Sequence, residues 1–262
     1  LADSILALMD ANGFVGVDMD WEYPGTGAGG TTWREEDWDN YLELLTLLRE
    51  GLDARQREQG RDFLLSVAVS ASSTLMEQVD GERLASLVDQ VNVMTYDMTG
   101  FERITGHHAA LSPQEDSTQG AAHALQACIA QGIPEAKLNL GAACYGRAWR
   151  NVLNVGNGLH ARAETSGNKI YTYDQLAELL AQEETTRYWD ETAQAAWLFD
   201  GSTFISYEDA ASMGAKAAYA LENNLLGVAV WSAEQDSSVT LLSALGDALT
   251  ESASELDKSG DS

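Results

Sequence analysis

Positive charge is what this sequence has least of: 15 Lys and Arg stand against 41 Asp and Glu, a formal charge of −26. A nucleic-acid partner needs a surplus of cations to displace phosphate counterions, and an anionic membrane surface needs the same, so neither is expected as a partner. The acid surplus favours solubility. Long apolar runs are missing too. The longest are of the kind LLGVAVW (225–231), far short of the ~18 residues of a membrane-spanning helix. Cysteine is scarce, with only Cys128 and Cys144, and there is no N-x-S/T sequon, so neither a disulfide framework nor glycosylation locates the protein. The chain has no initiator methionine and no targeting segment. Leu1 to Asn12 already reads as an amphipathic helix (Ile5, Leu6, Met9), so the chain is expected to enter in mid-domain.

What is present is ordinary globular composition, 45% hydrophobic and 21% charged. Five short apolar runs predict buried strands: Phe14–Asp20, Phe63–Ser70, Gln90–Tyr96, Leu138–Tyr145 and Leu226–Trp231. Helical stretches alternate with them: Trp38–Gln59, Gly81–Asp89, Ser117–Gln131, Glu208–Asn223 and Ser238 to about Leu249. That alternation predicts an α/β fold with a parallel sheet wrapped by helices, doubly wound or a (β/α)₈ barrel. Between Gly146 and Tyr207 the rhythm breaks into an aromatic and polar stretch, too long for one crossover, and predicts an inserted α+β subdomain. Glu251–Ser262 lacks periodicity and reads as a polar tail or linker. A literal G-x-G-x-x-G at Gly25, Gly27 and Gly30 is set apart from its strand by WEYP; with no tight strand-to-helix turn, it predicts a flexible loop and not a dinucleotide site.

The informative segment is GVDMDWEYP (16–24). Side chains alternate faces along a strand, so Asp18, Asp20 and Glu22 share one side at ~6.5–7 Å per step, opposite Val17, Met19 and Trp21. Burying three carboxylates without an interleaved cation is costly, which argues for function. A Mg²⁺ or Ca²⁺ site is the lesser reading, because Trp-Glu-Tyr-Pro offers no carbonyl-rich loop. Crowded carboxyls cannot all ionise freely, and one is expected to keep a proton near neutral pH, as a general acid must.

This segment resembles the D-x-x-D-x-D-x-E signature of family-eighteen glycoside hydrolases, the chitinase group. Further segments resemble that family in order: VNVMTYDM (91–98), TGHHAAL (105–111), GAACYGRAW (141–149) and GVAVWS (227–232). The signature's first Asp is replaced here by Val15, whose strand parity points away from the acids. The resemblance implies a (β/α)₈ TIM barrel of which only strands four to eight are present, with the α+β insertion between strands seven and eight. Residues 1–250 would be a partial catalytic domain, 147–207 the insertion within it, and 251–262 the tail. Five strands cannot close such a barrel, so the chain alone is expected to be poorly stable and inactive, with inward positions such as Ser66, Ala68, Val93 and Val228–Val230 exposed.

The resemblance also implies roles. Glu22 would protonate the glycosidic oxygen while the substrate's own 2-acetamido oxygen attacks the anomeric carbon, giving an oxazolinium intermediate and retention. Asp20 would orient the acetamide N–H, Asp18 would share a proton with Asp20, and Tyr96 would donate to the acetamide oxygen. Met94, Asp97, Tyr145, Arg147 and Trp231 would bind sugars, Trp231 as the stacking floor. No metal and no cofactor is implied. The partner would be chitin or N-acetylglucosamine oligosaccharides, the full-length protein a secreted monomer. Rival readings are an endo-β-N-acetylglucosaminidase acting on N-glycans and a non-hydrolytic chitin-binding lectin; such lectins commonly lack the acid at the Glu22 position.

Elsewhere plainer readings hold. His107 and His108 are adjacent, so in an extended loop they point apart and cannot chelate one metal. Cys128 and Cys144 read as two buried thiols, with a disulfide as the alternative. Trp33, Trp38 and Trp149 read as loop residues on the catalytic face, either sugar platforms or packing.

Overall fold

The computed structural model describes residues 1–113, 119–182 and 185–259. In chain order its strands are β1 Gly16–Asp20, β2 Leu64–Ser70, β3 Gln90–Met94, β4 Leu138–Ala143, β5 Tyr145–Trp149, β6 Lys169–Thr172, β7 Thr186–Asp190, β8 Ala195–Phe199, β9 Phe204–Tyr207 and β10 Gly227–Trp231. The helices are α1 Ala2–Asn12, α2 Asp37–Gln59, α3 Ser73–Met76, α4 Gly81–Leu87, α5 Ala121–Ala130, α6 Tyr173–Leu180, α7 Ala210–Glu222 and α8 Thr240–Ser259. The helix read from Ser117 thus starts at Ala121, and Ser117 itself lies outside the described residues. The last helix does not stop near Leu249: it runs ten residues further, and only 260–262 of the expected tail lie outside the described residues.

Five of the apolar runs form one parallel sheet in the order β1-β2-β3-β4-β10. Period-two alternation sends one set of side chains to the helices. Leu65, Val67, Val91, Val93 and Leu140 are fully buried there against Leu45, Leu48 and Leu52 of α2 and Leu125 of α5. Val93 is therefore on the helix-covered side, and not among the inward positions as the sequence predicts. The inward set is polar: Asp18, Ser66, Asn92 and Asn139 follow one another across neighbouring strands. Chain reversals use glycine where the backbone turns left-handed; α1 ends on Gly13, φ 69°.

The fourth apolar run does not continue through Tyr145 as one strand. It breaks at Cys144, whose N–H donates to Trp231 O (2.9 Å) and whose carbonyl accepts from Tyr173 N–H (2.9 Å). Past that break Tyr145–Trp149 enters a second, antiparallel sheet ordered β6-β5-β9-β8-β7. Gly146 lets β5 approach β9: a Cβ there would stand 2.8 Å from Ser206 O. The aromatic residues of this stretch make its core, with Phe204 edge-on to Trp149 and stacked on Trp197. Helices α7 and α8 close a further core between the sheets around Cys144, Met213 and Leu241. The two sheets are bolted together by a buried ion pair. Lys216 Nζ donates to Glu208 Oε1 (2.5 Å) and to Gly141 O (3.2 Å), and Glu208 Oε1 also accepts from Ala143 N–H (3.1 Å).

Candidate active site

The acid segment departs from expectation in its burial. Val17, Met19 and Trp21 pack on the main core as strand parity requires, yet Asp18, Asp20 and Glu22 are exposed. The reason is positional: among the described residues β1 pairs on one side only, with β2, so no further strand covers the acids. Asp18 accepts from Ser66 Oγ (2.5 Å) and Asn92 Nδ2 (3.1 Å), which hold its carboxylate on the inner face. Asp20 keeps its proton to higher pH than an ordinary aspartate, through partial burial first and then the charges of Glu22 and Asp18. The carboxyl raised in this way is Asp20, whereas the proton donor expected from the sequence is Glu22.

Beyond β1 the chain turns, and Glu22 leaves the strand to line a cavity of about 610 Å³. Met94, at the end of β3, and Tyr96 and Asp97, just past it, line the same cavity. Four of the residues singled out in the sequence therefore meet in one space. Burial, reinforced by the charges of Asp20 and Asp97, pushes the Tyr96 phenol well above its usual range, so Tyr96 is a hydrogen-bond donor at neutral pH. The sequence reading missed Tyr23, Ser70 and Phe101, which line the cavity as well. Adjacency to Glu22 was the signal for Tyr23; nothing distinguished Phe101, which is exposed and packed under the Arg147 guanidinium at 5.2 Å.

Tyr145 and Arg147 do not line that cavity. They grip Asp97 from behind: Tyr145 Oη donates to Oδ1 (2.8 Å), Arg147 Nε to Oδ1 and Arg147 Nη2 to Oδ2 (both 2.5 Å). Burial works to raise the Asp97 carboxyl, but the hydrogen bonds and charge of Arg147, with His108 beside it, outweigh that and hold it well below the usual carboxylate range. Trp231 stands half exposed, 56%, at the end of β10, across from Ala143 of β4 and outside the lining of the cavity.

The histidines do more than shape a loop. They point apart as parity requires, His107 Nε2 to Asp190 Oδ2 (3.3 Å) and His108 Nδ1 towards Asp97 Oδ1 (3.6 Å). Both are buried, because the second sheet covers them. Cys128 and Cys144 are free, buried in different cores, and burial pushes each thiol up to about 12. Trp149 is not a loop residue: it lies on β5, fully buried. Trp38 sits in α2 edge-on to Tyr41, and Trp33 remains exposed on the loop after β1. Among the described residues no three His, Cys, Asp or Glu are placed to hold one metal ion, and no helix is long and apolar enough to cross a membrane.

Known proteins share this arrangement of sequence. The family model described as glycosyl hydrolases family 18 matches residues 1–236. Chitinase A1 of Niallia circulans is 36% identical over 93% of the chain, which spans 38% of that relative's length. Among solved structures, chitinase ChiW from a Paenibacillus species superposes with a TM-score of 0.91 at 38% identity, covering 95% of this chain and 30% of that one. A family 18 N-acetylglucosaminidase from Paenibacillus barengoltzii gives 0.91 at 34% identity, covering 95% and 75%. A chitinase-like agglutinin from Robinia pseudoacacia gives 0.83 at 30%, covering 95% and 72%.

Proposed function

The chain belongs to the glycosyl hydrolases of family 18, and within that family we propose that it is a chitinase, cutting β-1,4 linkages between N-acetylglucosamine units with retention of configuration. The observation that carries the proposal is convergence: Glu22 and Tyr96 line one cavity, and Asp20 stands beside Glu22 with a raised pKa. In the proposed reaction the Glu22 carboxyl donates its proton to the glycosidic oxygen as that oxygen leaves C1. The 2-acetamido carbonyl oxygen of the same sugar closes on C1, so no protein nucleophile is needed. Asp20 accepts the acetamide N–H and balances the positive oxazolinium ring, while Tyr96 donates to the acetamide oxygen. Water then attacks C1, and the Glu22 carboxylate takes its proton, restoring the acid.

We read β1, β2, β3, β4 and β10 as the fourth to eighth strands of a (β/α)₈ barrel, residues 1–250 as catalytic domain and 147–207 as an insertion before the last strand. Support comes from the polar inner face, Asp18 to Ser66 to Asn92 to Asn139, which has the layered continuity of a barrel interior. Met94, Asp97 and Trp231 would contact sugars, Trp231 by stacking. Tyr145 and Arg147 would act at one remove, by holding Asp97. A polymeric substrate that cannot cross a membrane implies a secreted enzyme, which we take to be monomeric.

The agglutinin among the structural relatives keeps a lectin in view, and Glu22 is the feature that favours hydrolysis. The test is proton NMR of the first products from an N-acetylglucosamine tetramer. Accumulation of the β-anomer before mutarotation supports the substrate-assisted route; initial α-anomer contradicts it, and binding without cleavage favours the lectin.

A further inference from the structure

His108 is completely buried, and neither ring nitrogen has a partner at normal hydrogen-bond length among the described residues. A leucine or phenylalanine would fill the space without the cost of desolvating two polar atoms. The main chain pins the residue from both sides. Its N–H donates to Ser206 Oγ of β9 (2.9 Å), and its carbonyl accepts from the N–H of Met98 (3.0 Å), the residue after Asp97. The ring lies against Tyr145, centroids 5.2 Å apart, with Nδ1 3.6 Å from Asp97 Oδ1. The charged groups facing it are Asp97, Glu208 and Arg147.

Asp97 needs such support. Its backbone is left-handed, φ 56°, a conformation that aspartate adopts more readily than most residues but that leaves its side chain to be oriented by neighbours. Tyr145 and Arg147 both donate to its Oδ1, and His108 Nδ1 stands 3.6 Å from the same oxygen. We propose that His108 is a positioning residue for Asp97: a neutral imidazole protonated on Nδ1, it donates to Oδ1 when sugar fills the cavity, fixing which carboxylate lone pairs remain for the substrate. The inference rests on the hydrolase reading above. Contacts of this kind are often long in a ligand-free site and tighten in the complex. The tautomer follows from the partner: an imidazole with nothing to direct it favours Nε2–H, and a carboxylate facing Nδ1 reverses that preference.

The test uses the full-length protein labelled with ¹⁵N-histidine, and the ring system lost in H108N is that of His108. The expected spectrum is a neutral Nδ1–H ring, unchanged between about pH 5 and 8, that relaxes to Nε2–H in D97A. An Nε2–H ring in the unmutated protein, or one indifferent to Asp97, overturns the proposal. Kinetics on an N-acetylglucosamine tetramer give the second arm. H108F should lower kcat at least about tenfold with KM changed less than about threefold. H108N, whose amide N–H replaces the donor, should recover most of that loss. Equal losses in the two variants would mean packing alone, and would also overturn it. If the unmutated protein does not cleave the tetramer, the hydrolase reading fails by itself while the ring spectrum still decides His108.

Discussion

Asp97 and Arg147 meet fork to fork: Nε and Nη2 of the guanidinium each donate to a different carboxylate oxygen, both at 2.5 Å, joining the end of β3 to the second sheet. That pair sets a stability dependence on pH. Burial alone would raise the Asp97 carboxyl, and the hydrogen bonds and charge of Arg147, with His108 beside it, depress it further than burial raises it. A depressed carboxylate contributes stability that is present above its unfolded pKa, about 3.9, and that is lost as pH falls through the folded value. Thermal melts from about pH 5 to 2.5 should show the unmutated protein losing more of its Tm than D97N does. Parallel curves would mean that the fork adds nothing to folding.

Asp20 has the opposite sign. Its raised carboxyl makes a contribution to stability that is full at acid pH and disappears as pH rises through the folded value, so at neutral pH the ionised group is a liability. Asp20→Asn should therefore leave Tm at pH 7 unchanged or higher by on the order of 1–3 °C, the gain being small because the group is largely exposed. The same substitution should lower kcat at least about a hundredfold by removing the negative charge that balances the oxazolinium ring. A change confined to KM would contradict a role in the transition state.

The buried pair Lys216 and Glu208 gives a prediction about folding alone. Both side chains are almost inaccessible, and Glu208 Oε1 also serves the Ala143 N–H. Lys216→Met should cost about 3–5 kcal/mol, because it leaves the carboxylate buried without its cation. Adding Glu208→Gln should recover part of that, since the amide oxygen still accepts from Ala143 and carries no charge. Denaturant titration of the two variants decides it, and a double variant less stable than the single would refute the charge argument.

Much of this was legible in residues with short-range rules behind them. Period-two alternation placed Val17 and Met19 in the core opposite Asp18 and Asp20, and parity separated His107 from His108. What could not be read depends on distant partners. The acids' exposure follows from β1 pairing only with β2, which no local pattern encodes. Tyr145 and Arg147 look continuous with the preceding apolar run, but Cys144 hydrogen-bonds to Trp231 and Tyr173, 87 and 29 positions away, and the strand breaks there. The same tertiary cause buries His108, covered by Ser206 and Tyr145 of the second sheet, whose contact with this loop no local pattern encodes. Asn92 and Asn139 are the signal that the inward positions named from the sequence left out: like Ser66, each interrupts an apolar strand at the parity of the acids.

The central claim is that Glu22 supplies the proton, and one paired measurement on Glu22→Gln tests it most directly. The amide keeps the shape and loses only the transferable proton. Calorimetric titration with an N-acetylglucosamine tetramer should give a Kd within a few-fold of the unmutated protein's, while release of reducing ends from the same oligosaccharide falls below roughly one per cent. Turnover retained above that level with binding intact would contradict the account, because some other group would then be the acid.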